Sequence, residues 1–126
     1  MFSVNEDNKS IFLTRGDIAT LVFDADNADG EGHMFNKGDV IRLRIYEKNK
    51  HSNVVLQKDI LVDADAQTVE IFLTREDTKI GDLINKPVDY WYEVELNPDT
   101  LPQTMVGYDE NGPKIFRLFP EGGDKE

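Results

Sequence analysis

His33 and His51 are the only two histidines in the chain, so acid-base chemistry near neutral pH would have to be built around one of them. Both stand in polar stretches that read as loops. Neither has a Ser or Thr placed as in a nucleophile elbow, the two are not at metal-ligand spacing, and no glycine-rich run could cradle a phosphate. The chain contains no cysteine, which removes disulfides, thiolate nucleophiles and thiolate metal ligands together and fits folding in a reducing cytoplasm. A metal-dependent enzyme would need a pocket of convergent ligands, and the spacing supplies none. The residues read as non-enzymatic, with no cofactor.

The carboxylates Asp24, Asp26, Asp29 and Glu31 are the weak calcium candidates, because Ca²⁺ is a hard ion that gathers oxygen ligands. The helix–loop–helix template does not fit them. Counting from Asp24, the fifth position is Ala28, the glycine falls one place late at Gly30, and the twelfth position is Phe35 where a bidentate Glu is required. Ala25 to His33 reads as a long, solvated acidic loop. Arg15-Gly16-Asp17 spells an adhesion tripeptide but sits where one strand ends and the next begins, so Gly16 and Asp17 read as turn geometry. Gly38 and Asp39 repeat that arrangement. Asn111 and Gly112, in the stretch Asp109 to Gly112, tolerate positive φ and suggest a hairpin turn joining the last two strands.

Alternation along Tyr90-Trp91-Tyr92 points the tyrosines inward and sends Trp91 outward beside Glu93 and Glu95. The same count puts Phe72 outward. With Tyr108, these are the candidate partner-interface residues, since aromatic side chains dominate protein contact hot spots. An exposed Trp91 could equally stack on a sugar ring or lie under one of the chain's own loops.

The elements that must position these residues are strands. Apolar residues recur at every second position in short runs bounded by Gly, Pro, Asn and Asp. Seven or eight strands fit, at about 10–15, 18–24, 39–47, 53–61, 68–74, 88–97, 103–108 and 114–119, with residues 2–4 as a possible short edge. Ile41, Leu43 and Ile45 share one face and Arg42 and Arg44 the other; Val69, Ile71 and Leu73, and Tyr90, Tyr92, Val94 and Leu96, form further inward rows. Antiparallel strands with one apolar face each bury those faces most simply by stacking, which predicts an all-β, immunoglobulin-like β-sandwich; a small barrel is the competing architecture. Only Asp77 to Ile84 reads as a helical turn. Ile11-Phe12-Leu13-Thr14-Arg15-Gly16-Asp17 returns sixty positions later as Ile71-Phe72-Leu73-Thr74-Arg75-Glu76-Asp77. The likeness does not extend beyond the heptapeptide, so it reads as one strand-to-turn solution reached twice.

At 126 residues the chain suits one domain over residues 1–119, with a flexible, acidic, Gly-rich tail at 120–126. A formal charge of −11 repels phosphate backbones and anionic lipid, which argues against nucleic acid and membrane partners. Met1 to Asp7 has neither a basic nor an apolar leader region, and no run approaches a membrane span.

The order of these motifs resembles small β-sandwich proteins of tailed phages, in particular the N-terminal domain type of the baseplate upper protein from phages of Gram-positive bacteria. The resemblance covers most of residues 10–108. It is carried by Arg15-Gly16-Asp17 closing a first strand, Gly38-Asp39 opening the long strand to Ile45, Ile71 to Thr74 followed by Asp77-Thr78, the Tyr90-Trp91-Tyr92-Glu93 strand, and a Thr-led strand at Thr104-Met105-Val106. Lys114 to Lys125 looks like the end of short stand-alone phage and prophage proteins from gut bacteria. The resemblance implies a virion structural or adaptor protein, assembled in the bacterial cytoplasm and acting through contacts with other virion proteins or with itself as a homo-oligomer. A carbohydrate-binding module recognising the bacterial surface, through Trp91, Tyr108 and the acidic loop, is the alternative.

Overall fold

In a computed structural model the described residues are 2–5, 8–24, 35–48, 50–81, 84–100, 102–108 and 112–121, with the backbone alone for Asp24, Lys50, His51 and Gln103. They are all β, with nine strands and no helix: β1 (Phe2–Val4), β2 (Ile11–Thr14), β3 (Ala19–Asp24), β4 (Val40–Glu47), β5 (Lys50–Leu61), β6 (Thr68–Leu73), β7 (Val88–Leu96), β8 (Gln103–Val106) and β9 (Lys114–Phe119). Seven form one sheet, in the order β1-β2-β9-β7-β4-β5 with β8 also on β7, and β3 and β6 form a second sheet of two. An even immunoglobulin-like division would give the second layer more strands, so the observed split departs from the expectation.

The period-two pattern fixes which side of each strand is buried. In β4, Ile41, Leu43 and Ile45 are fully enclosed, and they align with Leu96, Val94 and Tyr92 of β7. Ile11 and Leu13 of β2, and Phe116 and Leu118 of β9, continue this floor. Leu21 and Phe23 of β3, with Val69, Ile71 and Leu73 of β6, come down on it from the smaller sheet, so both layers share one core. Phe35, bridged to Ala66 outside the named strands, closes it at 1% exposure.

Two expectations about neighbours are corrected. The strands are not all antiparallel, because β2 lies parallel to β9, with Ile11 opposite Phe116 and Thr14 opposite Phe119. Nor do β8 and β9 make a hairpin. Both run antiparallel to β7, β8 beside its second half and β9 beside its first, with Val106 opposite Val94 and Lys114 opposite Tyr92. They are two lengths along the same edge of β7, interrupted between Val106 and Lys114. Gly107 follows directly on β8: a Cβ there would stand 2.7 Å from the Thr104 methyl carbon, so a larger residue would force Thr104 to shift.

The helical turn expected over 77–84 lies earlier. Thr78 N–H donates to the Thr74 carbonyl at 3.2 Å, and reciprocal bonds between Thr74 and Asp77, from Thr74 N–H to Asp77 Oδ2 at 2.9 Å and from Asp77 N–H to Thr74 Oγ1 at 3.1 Å, set its start as a capping pair does.

Candidate partner-binding surface

The two heptapeptide copies end in turns that dock on each other. Gly16 N–H donates to Thr78 Oγ1 at 3.0 Å, and that hydroxyl donates in turn to the Asp17 carbonyl at 2.7 Å. Thr78 is fully buried, so its hydroxyl is held by these partners. Arg15 reaches across the same junction to the carbonyls of Ile80 at 3.4 Å and Gly81 at 2.8 Å, and to Glu121 Oε1 at 3.3 Å. The tripeptide Arg15-Gly16-Asp17 is thus occupied within the fold. Gly38 and Gly112 also have positive φ, at 99° and 96°, and Asp39 accepts from Asn36 N–H at 2.8 Å and from Asn97 Nδ2 at 3.1 Å. Asn111 and the rest of 109–111 lie outside the described residues.

The outer face of the large sheet is closed by cross-strand ion pairs. Arg42 of β4 donates to Asp59 of β5 at 2.9 and 3.0 Å and to Asp99 at 3.3 and 3.0 Å. The Asp59 bonds, then those to Asp99, hold its guanidinium above its ordinary pKa. Arg117 of β9 donates to Asp89 of β7 at 2.6 and 3.1 Å and lies 5.8 Å from the centre of the Phe12 ring. Trp91 sits in this face, half-buried, edge-on to Tyr46 with centroids 6.5 Å apart. Its Nε1 is buried and has no hydrogen-bond partner. Tyr46 is 5% exposed and donates to Glu93 Oε1 at 3.3 Å; burial first, then the Glu93 charge, pushes its pKa up to about 12. Trp91 is therefore part of a packed face, not an open stacking platform.

The small sheet presents the opposite surface. Val22 and Phe72 point outward from β3 and β6 at 59% and 47% exposure, and Ile18 just before β3 is 57% exposed. Thr20 and Glu70 separate them, with Thr20 opposite Phe72 and Val22 opposite Glu70. Since the core lies between the layers, Phe72 and Trp91 are on opposite outer faces, and one flat interface cannot include both. Tyr108 is 74% exposed beyond β8.

Beside β3 the core is open. A groove of about 460 Å³ is lined by Thr20, Leu21, Val22 and Phe23, by Phe2 and Val4 of β1, and by Lys9, Ile11, Tyr92 and Val106. Its lining takes consecutive residues from β3 and none from β6, so the groove follows the edge of β3 that faces away from β6. At its mouth the Tyr92 hydroxyl donates to the Lys9 carbonyl, and burial raises the Tyr92 pKa.

Among the described residues no group of three or more His, Asp or Glu side chains could hold a metal ion. The calcium candidates Asp26, Asp29 and Glu31, and His33, lie outside the described residues, as do the side chains of Asp24 and His51. Among the described residues no helix is long and apolar enough to cross a membrane. The outward position of Phe72 was legible from alternation; the packing of Trp91 on Tyr46 and the groove were not, because they depend on which strands are neighbours. No protein-family model matches the chain, and no curated protein and no solved structure matches it.

Proposed function

We propose that the chain is a non-enzymatic structural or adaptor protein of a tailed phage or prophage, working through contacts with other virion proteins or with itself. The observation that carries this reading is the concentration of exposed apolar surface on and beside the small sheet, where Ile18, Val22 and Phe72 lie open and the adjacent groove reaches core residues. Apolar patches of this kind mark interaction surfaces. The motif order described above supplies the phage context, and the architecture is then an immunoglobulin-like sandwich whose second layer is short of strands. The packing of Trp91 against Tyr46 counts against sugar stacking on that ring and takes Trp91 out of the proposed contact surface.

Mass spectrometry of purified particles from the parent phage tests the reading. The expected result is this chain at a fixed copy number that divides into the particle symmetry. Absence from particles, together with binding to host wall polysaccharide on a glycan array, would replace it with the carbohydrate-binding module.

A further inference from the structure

We propose that β3 is a strand-acceptor edge: the groove beside it takes an extended segment of a partner protein, apolar at alternate positions and flanked by Lys or Arg, which pairs with β3 and completes the small sheet. The inference rests on the docking-protein reading above and names where docking occurs.

Three observations select this edge. Among the described residues β3 pairs with β6 alone, so every second residue of Ala19–Asp24 turns its backbone N–H and C=O away from β6, toward the groove. Such a row is a template for another strand. Secondly, the groove floor is made of core side chains, Ile11, Leu21, Phe23 and Val106, so the inward residues of an added strand would extend an existing core. A third sign is that the β3 edge lacks the devices that block pairing elsewhere. β5, the long edge of the large sheet, carries the inward-facing Lys58, opposite Leu43 and bound to Asp77 Oδ2 at 2.8 Å, which opposes edge-to-edge pairing. Of the six residues of β3 only the last, Asp24, is ionisable.

Charge selects the occupant. With a formal charge of −11, a second copy of the chain approaches against its own field, whereas a cationic segment is drawn in. The one charged side chain among the groove's lining residues is Lys9, so the Lys or Arg residues of the segment belong at its ends, beyond the groove, where the net field of the chain acts on them. Six residues of β3 set the span at roughly 20 Å of extended chain.

The test uses the full chain and a capped octapeptide of alternating valine and threonine with a lysine at each end, followed by amide hydrogen exchange. The peptide is expected to slow exchange at alternate residues of β3 at least tenfold. The same peptide with alternate amides N-methylated, equal in charge but unable to pair as a strand, should bind at least tenfold more weakly. Val22→Lys, on an exposed outward position, should weaken the unmodified peptide by a similar factor while leaving the far-ultraviolet spectrum unchanged. Equal affinity for both peptides would mean charge attraction alone and would overturn the proposal, as would unchanged β3 exchange at about 1 mM peptide. Concentration-dependent protection of β3 with a dimer in sedimentation would give the edge to a second copy and overturn it too. If β3 stays unprotected while the chain is found in particles, strand addition falls and the adaptor reading stands.

Discussion

The two heptapeptides differ at a single residue, and the backbone explains which one. Gly16 has φ 88°, a conformation that costs other L residues roughly 1–3 kcal/mol, and a Cβ at that position would stand 3.0 Å from Glu121 Oε1. Glu76, the equivalent residue, is not among the described residues with positive φ. Gly16→Glu, which would make the copies identical, should therefore lower stability by about 1–3 kcal/mol in urea denaturation, while Glu76→Gly should cost less than about 1 kcal/mol. At Trp91 the buried indole N–H lacks a partner, so Trp91→Phe removes an unsatisfied donor along with some ring area, and stability should change by less than about 1 kcal/mol. Asp77 shows the acid sensitivity of these turns. Burial pushes its carboxyl up, but the bonds from Lys58 and Thr74 outweigh it, and its pKa lies below the ordinary 3.8. Asp59 beside Arg42 and Asp89 beside Arg117 are lowered as well. A carboxyl depressed on folding contributes its full stability above the unfolded value and loses it as pH falls through the folded value. Thermal midpoints should hold above about pH 5 and fall below about pH 4, with a shallower fall in Asp77→Asn. The turn role of Gly16-Asp17 was readable from residue type. The part Thr78 plays in joining the two turns was not, because its partners across that junction lie 61 and 62 positions away.

At the scale of the strand, alternation identified the buried rows because a one-residue slip would turn each row outward. Ile41, Leu43 and Ile45 are each 0% exposed, and Leu43→Ala should cost about 2–5 kcal/mol in equilibrium unfolding. Neighbour identity is a different kind of information. An apolar face states which side of a strand is covered and not which strand lies beside it, so the parallel β2–β9 pair and the shared β7 edge of β8 and β9 were not legible. The Asp109 to Gly112 stretch has turn chemistry, and turn chemistry does not distinguish a hairpin from an interruption between two lengths along the same edge. Lys58 could be recognised only once β5 was known to be an edge. Lys58→Val should raise the self-associated fraction in sedimentation velocity, since an inward charge that opposes edge pairing is gone.

For the whole molecule, 25 acidic residues against 14 basic ones leave a surplus that the ion pairs do not neutralise. Self-repulsion of that surplus works against the folded state and is screened by salt. The melting temperature should therefore rise between about 10 mM and 300 mM sodium chloride, and a fall would mean that the bridges on the large sheet outweigh the net field. The surplus was evident from composition, and the all-β class from apolar residues at every second position. The inequality of the layers was not, because it reflects how many strands pair on each side rather than how many exist.

The parallel contact between β2 and β9 has a mechanical meaning. β2 is entered from the N-terminal side and β9 is left toward the C-terminal side, and the two point the same way. Tension applied through the chain on either side of this pair would drag the strands past each other lengthwise. Their evenly spaced bonds would then be strained together instead of parting one at a time.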